Sequence, residues 1–180
     1  MSADPDSELM RRVGEGDSAA VRELVARKLA AVLRLSRRML GEEAEAEDVA
    51  QETFVRLWRQ AGRWRPGVAK LDTWLYRVAL NLCHDRLRRR REIVTADPPD
   101  RADPSLSQES ALERLQMAQI IRAELLALPP RQREAIALIH GEGLSGSLAA
   151  EAMGVSLDAL ESLLARARRS LRARLRECDD

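Results

Sequence analysis

The sequence predicts an all-α protein with two small helical domains joined by a flexible linker. First, alanine, leucine, arginine and glutamate dominate its 180 residues while aromatic residues make up 3%, a composition that favours helix over sheet. Second, apolar residues recur at three- and four-residue steps, the period of an amphipathic helix. Third, this pattern stops over residues 93–112, where prolines, aspartates and serines indicate an exposed linker rather than a long loop within one domain. The predicted domains are residues 1–92 and 113–180.

The helices of the first predicted domain are delimited by capping and breaking residues. Asp17 or Ser18 suits the N-cap of a long helix that Gly41 ends. Asp72 suits the N-cap of a helix that follows the glycine-containing loop 62–67. These signals predict a short helix from Ser7 and three longer helices over roughly 18–40, 44–61 and 73–92.

Similar signals divide the second predicted domain. Pro129 and Pro130 interrupt the helical pattern, because proline cannot continue a helix. Gly154 marks a tight turn, and Ser156 suits the N-cap of the last helix. The predicted helices lie over roughly 112–128, 131–140, 146–153 and 157–176.

Charge and cysteine content exclude several classes of protein. The formal net charge is only +1 although residues 1–92 hold 19 basic and 15 acidic side chains, so local clusters matter more than the total. Cys83 and Cys178 lie far apart without CxxC spacing, which favours two reduced thiols over a disulfide framework or a zinc site. The polar, acidic N-terminus does not resemble a signal peptide or a membrane span. We therefore expect a cytoplasmic protein with no direct membrane insertion.

No group of residues predicts catalysis. His84 and His140 are far apart in sequence, and neither lies in a nucleophile or metal-ligand pattern. The chain also lacks a phosphate-binding glycine loop. The sequence therefore predicts no catalytic residue, no metal, no cofactor and no enzyme activity of its own.

Residues 144–171 have the pattern of a helix-turn-helix. A short helix, a glycine turn and a capped second helix are what this motif needs, since the first helix braces the second against the DNA major groove. Helical hairpins with a glycine turn are also common in proteins that do not bind DNA. The pattern alone therefore leaves DNA binding open.

The predicted fourth helix carries a basic stripe opposite its apolar face. Arg77, Asn81, His84 and Arg88 recur at steps of four, three and four, and the stripe runs into the arginines of residues 86–91. Dense arginines attract phosphate, and the Asn81 and His84 side chains can hydrogen-bond bases. The alternative is a solvated helix end whose positive charge favours the helix dipole.

The aromatic residues and the third helix add two further observations. Trp58, Trp64, Trp74 and Tyr76 cluster in sequence. Core packing is the commoner role for most of them, and for Trp58 and Trp74 in particular, but Trp64 and Tyr76 lie near the loop and can stack on an unpaired base. The third helix has an acidic, polar face that repels DNA, so it is either a protein-binding surface or an ordinary solvated face; its residues are Asp48, Gln51, Glu52 and Arg56.

Two segments in the expected order resemble a known family. AEDVAQETFVRLWR with LDTWLYRVALNLCHDRLRRRRE resembles the second conserved region of extracytoplasmic-function sigma factors of bacterial RNA polymerase. LPPRQREAIALIHGEGLS with AAEAMGVS and RARRSL resembles their fourth region, and GEGDSAAVREL is similar to their opening. The resemblance covers nearly the whole chain except the linker, and it implies that the protein directs promoter-specific transcription initiation.

The resemblance implies a partner for each surface. The third helix would bind the clamp helices of the largest polymerase subunit, the last domain would contact the polymerase flap, and an anti-sigma factor would hold the protein inactive. Promoter DNA would be bound at the −10 element by Trp64, Tyr76, Arg77, Asn81, His84, Arg88 and Arg89. At the −35 element the implied contacts are Ser156, Ser162, Arg166 and Arg169.

The recognition helix departs from the family pattern. Asp158 and Glu161 lie near its start, where they would repel phosphate. Either the −35 readout is weak or unusual, or this surface serves an anti-sigma partner. From the residues alone, two other classes stay open: a stand-alone helix-turn-helix regulator, which would bind DNA without polymerase, and a helical adaptor, which would show no salt-dependent DNA binding.

Overall fold

The computed structural model describes residues 6–65, 70–94 and 109–177, and all regular structure in these ranges is helical. Helices α1–α4 form the N-terminal half, and α5–α8 form the C-terminal half. A π-helical segment, Ala137–Gly141, continues α6. The eight helices of the described ranges are α1 Ser7–Gly14, α2 Ser18–Leu40, α3 Glu43–Ala61, α4 Leu71–Val94, α5 Glu109–Ala127, α6 Pro130–Ile136, α7 Gly146–Met153 and α8 Leu157–Glu177.

Several predicted helix ends are confirmed by their cap geometry. The Asp17 carboxylate accepts hydrogen bonds from the backbone N–H groups of Ala19 at 2.8 Å and Ala20 at 3.2 Å. Gly41, after α2, has a φ of 76°, in the left-handed region where glycine replaces other residues without strain. The predicted all-α architecture is confirmed, since every regular element in the described ranges is helical.

Replacing the α2 cap should cost a modest, measurable amount of stability. We expect Asp17→Ala to lower the free energy of unfolding by about 1 kcal/mol, because two backbone donors lose their acceptor. Asp17 also pairs with Arg12 at 2.7 Å, so Asp17→Asn, which keeps a capping oxygen but loses the charge, is the matched control. The free energy of unfolding is measured in urea. If Asp17→Asn loses as much of it as Asp17→Ala does, the ion pair with Arg12 stabilises the protein and the cap does not.

Two helix boundaries differ from the prediction. Helix α4 begins at Leu71, whose side chain is fully buried, and its first turn is closed by a hydrogen bond from the Trp74 N–H to the Lys70 carbonyl at 3.1 Å. Asp72 is therefore not the N-cap; its carboxylate pairs with the Lys28 amine at 2.7 Å. Helix α5 begins at Glu109, so helices extend into both ends of the predicted linker.

The two halves share one continuous apolar core rather than standing apart. Helix α2 lies at the centre and packs against α1, α3 and α4 on one side and against α5, α6 and the π segment on the other. Leu35 and Met39 of α2 are fully buried in the same cluster as Leu138 of the π segment. No helix in the described ranges is long and apolar enough to cross a membrane.

Arg133 of α6 is a polar link between the halves. Its buried guanidinium donates to the carbonyl oxygen of Met39, near the end of α2, and to those of Leu126 and Leu128 at the end of α5. Burial, together with the positive charges of Arg90 and Arg91, lowers the pKa of Arg133. The orphan carbonyls at the ends of two helices are thus satisfied by one side chain.

Candidate nucleic-acid interface

The basic stripe of α4 lies partly against the C-terminal half. Asn81 is exposed. The Arg77 guanidinium donates to the backbone carbonyl of Glu151 in α7. The His84 Nε2 atom lies 3.0 Å from Oε2 of Glu134 in α6, a carboxylate with only 1% of its side chain exposed.

Near its C-terminal end, α4 leaves two arginines of the stripe on the surface. Arg88 is exposed and forms an ion pair with Asp85 of its own helix at 3.1 Å. Arg89 is exposed beside it. Exposed guanidinium groups next to one another suit phosphate contacts, and Arg88 can exchange its weak surface partner for a phosphate oxygen.

The arginine run of residues 86–91 is not a uniform basic surface, which the sequence pattern did not reveal. Arg90 turns back to α3, where it pairs with Glu45 at 2.5 Å and with Glu42 at 2.9 Å, and it also donates to the Leu40 carbonyl. Arg86 lies 3.7 Å from Asp48. Arg90 therefore holds α4 against α3, while Arg86 adds only a weak surface pair. The sequence pattern of α4 does not reveal these pairs, because the carboxylates belong to another helix.

The two aromatic residues proposed to stack on bases lie in different environments. Trp64 is partly buried and packs edge-on against Trp74, with ring centroids 6.0 Å apart. Tyr76 has only 8% of its surface exposed, so its ring cannot stack on a base in this arrangement. Burial, and to a smaller extent the nearby Glu142 carboxylate, raises the pKa of Tyr76 to about 12.

The polar face of α3 is open to solvent. Asp48 has 68% of its side chain exposed, Gln51 is exposed, and Glu52 and Arg56 form an ion pair at 2.9 Å. The hydrogen bond from Arg56 lowers the pKa of Glu52, which keeps that carboxylate ionised. This face therefore combines exposed charges of both signs.

Trp58 does not belong to the core, contrary to the sequence-based interpretation. It is 42% exposed on α3, and its ring centroid lies 6.5 Å from that of Phe54. An exposed tryptophan beside a polar helix face is typical of a protein-binding surface, because the indole contributes large contact area at low entropic cost. The helical spacing did not predict this exposure. Trp58 follows the buried residue Phe54 at a four-residue step, which is the spacing expected of a core residue.

The helix-turn-helix pattern is realised by α7, a turn at Gly154 and α8. Gly154 has a φ of 65°, and the Ser156 hydroxyl accepts a hydrogen bond from the Ala159 N–H at 3.2 Å. Ser156 is thus an N-cap whose oxygen already has a backbone partner. Ser162, Arg166 and Arg169 are exposed on α8, as are the acidic residues Asp158 and Glu161.

Cys83 lies fully buried in α4. Burial raises the pKa of its thiol to about 12, while a hydrogen bond with Ser36 opposes that shift. Because the thiolate is the reactive form, Cys83 is a core residue without nucleophilic character at neutral pH. The other cysteine, Cys178, lies outside the described residues.

Exposed arginines on α4 in one half and a helix-turn-helix in the other are typical of a helical DNA-binding protein. Models of two protein regions match the chain in the same order: Sigma-70 region 2 over residues 24–93 and Sigma-70 region 4 over residues 118–171. The chain belongs to the extracytoplasmic-function sigma factors of bacterial RNA polymerase. Members of this family are transcription initiation factors that bind core RNA polymerase and promoter DNA, and they are not enzymes.

Similarity to individual sigma factors extends over almost the whole chain. RNA polymerase sigma-H factor of Pseudomonas aeruginosa is 32% identical, and the alignment covers 95% of this chain and 94% of that protein. ECF RNA polymerase sigma factor SigW of Bacillus subtilis is 29% identical over 93% of this chain and 95% of its own length. ECF RNA polymerase sigma factor SigE of Mycolicibacterium smegmatis is 34% identical over 87% of this chain, which spans only 63% of that longer protein.

Solved structures support the same fold. The structure of CnrH in complex with the cytosolic domain of CnrY superposes with a TM-score of 0.73 at 29% identity and covers 97% of this chain and 99% of that one. The sigma factor RpoE in complex with the anti-sigma factor NepR from Bartonella quintana gives a TM-score of 0.69 at 25% identity, over 86% of this chain and 96% of the other.

Proposed function

We propose that the N-terminal half binds core RNA polymerase through α3 and the −10 element through α4, in the cytoplasm, where transcription takes place. The observation that carries this proposal is the separation of the two faces: the open surface of α3 carries Asp48, Gln51 and Glu52, whereas the exposed residues Asn81, Arg88 and Arg89 belong to α4. The faces also differ in chemistry, since α3 offers carboxylates and an exposed indole and α4 offers arginines and a carboxamide. Protein and nucleic acid can therefore be bound at the same time.

Strand separation by such a protein needs no reaction chemistry. Exposed arginines hold the backbone of the separated strand, and a polar side chain with free hydrogen-bonding groups reads an unstacked base. Asn81 suits the second role, because its carboxamide is exposed between the arginines of the stripe and can donate and accept. Trp64 and Tyr76 would stack on bases only after the neighbouring side chains release them.

The C-terminal half is proposed to read the −35 element through α8. Arg166 and Arg169 are exposed on one side of that helix, at a spacing that lets both approach one DNA strand. Asp158 and Glu161 near the helix start oppose the phosphate backbone. We therefore expect a −35 contribution that is weaker than that of the −10 element.

An anti-sigma factor is proposed as the regulatory partner. The proposal rests on the solved relative RpoE, whose structure contains the anti-sigma factor NepR and matches 86% of this chain. A surface of α2 and α5 suits such a partner: Ile121 is 44% exposed there, beside Arg34, Arg37 and Arg122. An acidic, apolar segment would complement it.

Run-off transcription tests the proposed function. Purified core RNA polymerase is assayed with and without this protein on promoters from the source genome, with a second sigma factor as a control for core activity. Transcripts that require the protein would support the proposal and define both promoter elements. A protein that binds the same DNA equally well without core, and yields no transcript, would instead be a stand-alone regulator.

Removing the Asn81 carboxamide should affect DNA opening more than polymerase binding. We expect Asn81→Ala to lower the equilibrium constant for open-complex formation about tenfold, the loss of one good hydrogen bond, while affinity for core polymerase stays unchanged. Gln119→Ala, which removes an exposed carboxamide from α5, is the matched control. Permanganate footprinting and core-binding titrations measure the two quantities, and an equal loss in both would reject this role of Asn81.

A further inference from the structure

An open cavity of about 710 Å³ lies where the C-terminal end of α4 meets the junction of α5 and α6. Helix α4 contributes Arg90 and Arg91 to its lining, and α6 contributes Arg133. The charged residues that line it within the described part of the chain are all arginines. The volume is in the range of pockets that bind small organic molecules, so this cavity combines the size of a ligand site with positive charge.

The buried guanidinium of Arg133 has only neutral partners there. Its acceptors are the backbone carbonyl oxygens of Met39 and of two residues at the end of α5, and its buried Nε atom has no acceptor among the described residues. Burial lowers the pKa of Arg133, and repulsion from Arg90 and Arg91 lowers it further. A buried charge is costly unless an opposite charge compensates it. An anion bound in the cavity would supply that opposite charge.

The other two arginines differ in how they can meet an anion. Arg90 already pairs with Glu42 at 2.9 Å and with Glu45 at 2.5 Å, so its position is fixed by α3. Arg91 is exposed. A guanidinium group forms two parallel hydrogen bonds with phosphate oxygens, a geometry that an ammonium group cannot match. Arg91 is therefore the side chain best suited to bind a phosphate directly, with the positive charge of Arg133 adding attraction from inside the protein.

Apolar side chains form the rest of the cavity. Leu87 comes from α4, and Leu126, Pro129 and Pro130 come from the junction of α5 and α6. Such residues stabilise a flat organic ring by removing it from water, whereas they contribute nothing to a bare inorganic anion. Arginines beside an apolar surface match a ligand that carries both phosphate groups and an aromatic base.

We propose that the cavity between α4 and the α5–α6 junction binds a nucleoside polyphosphate, with its phosphate groups at Arg91 and its base against Leu126 and the two prolines. This inference does not depend on the proposed −10 and −35 contacts. A ligand that binds the folded protein and not the unfolded chain raises the free energy of unfolding. The stability of the protein would therefore follow the nucleotide concentration.

Isothermal titration calorimetry of the full chain tests this proposal, with ATP, inorganic pyrophosphate and adenosine as probes at constant ionic strength. We expect pyrophosphate and adenosine each to bind about tenfold more weakly than ATP, because each lacks one of the two parts that the cavity recognises. Arg91→Gln should raise the dissociation constant for ATP about tenfold, since a bidentate contact is lost. Arg91→Lys keeps the charge but not the fork geometry, and it should cause a smaller loss.

Arg89→Gln is the matched control for Arg91→Gln. It removes the same charge from an exposed arginine of the same helix, and Arg89 is not among the residues that line the cavity. Its dissociation constant for ATP should stay within about twofold of the wild-type value. Equal losses in the two variants would show a general attraction to the arginine run and would overturn the site. Circular dichroism confirms the helix content of each variant.

The remaining outcomes separate this inference from the proposed function. Absence of ATP binding by the wild-type protein would overturn the site, whatever run-off transcription shows. Pyrophosphate that binds as tightly as ATP would overturn the assignment to a nucleotide, because the apolar residues would then contribute nothing. A labelled −10 oligonucleotide that binds the wild type but not Arg91→Gln, in a protein that does not bind ATP, would assign Arg91 to DNA instead.

Discussion

Asp48→Arg is expected to weaken binding to core RNA polymerase by about 10- to 100-fold, because the substitution reverses the charge of an exposed carboxylate on the proposed polymerase-binding face of α3. Asp48 is 68% exposed, and it pairs with Arg86 only at 3.7 Å, so the folded state loses little stability. A fluorescence titration of labelled protein with core polymerase measures the dissociation constant. Open-complex formation at saturating core concentration should stay near the wild-type level.

Glu23→Arg is the control for Asp48→Arg. It reverses the same charge on α2, outside the proposed polymerase surface, and it breaks only a local ion pair with Arg27. Its dissociation constant should match that of the wild type. If the two variants bind core equally well, α3 is not the polymerase surface, and the exposed Trp58 beside it needs another explanation.

Alkaline pH should destabilise the protein through Cys83. Its pKa in the folded state is raised to about 12, against about 9 for an unhindered thiol, so the folded state keeps a proton that the unfolded state releases. The stabilisation is therefore complete below pH 9 and is lost as the pH rises toward 12. Between pH 9 and pH 11 this should cost about 2 kcal/mol of the free energy of unfolding.

The contribution of Cys83 can be isolated by substitution. Cys83→Ala removes the titrating group, so the free energy of unfolding of this variant should fall less steeply with pH than that of the wild type. Tyr76, whose pKa is also raised to about 12, contributes to the pH dependence of the unfolding free energy that remains in this variant. Urea unfolding at pH 8, 9, 10 and 11 gives the comparison, and parallel curves for the two proteins would contradict the prediction.

Local signals were sufficient for most of the fold. The Asp17 cap, the Gly41 and Gly154 turns and the Pro129–Pro130 break act within a few residues, which is why the predicted and observed helix ends agree there. The start of α4 was misplaced because burial of Leu71 outweighs the capping preference of Asp72. The docking of the two halves depends on contacts between residues about a hundred positions apart, for which helical periodicity carries no information.

The candidate site was predictable in composition but not in accessibility. Sequence spacing placed Arg77, Asn81, His84 and Arg88 on one helix, yet only tertiary contacts decide which of them are exposed. Arg90 shows the same limit, because its carboxylate partners in α3 turn part of a basic run into a structural link. The residue roles at the −10 and −35 elements stay predictions until the transcription assays are done.

The central position of α2 also bears on synthesis of the protein. The chain leaves the ribosome from its N-terminus, and Glu142 emerges 108 residues after Arg34, the residue with which it pairs. Until then the face of α4 that packs against α7 stays exposed. Leu35 and Met39, which are fully buried in the core that the two halves share, also stay partly exposed until then, so a chain stopped late in synthesis presents an apolar surface that the finished protein does not have.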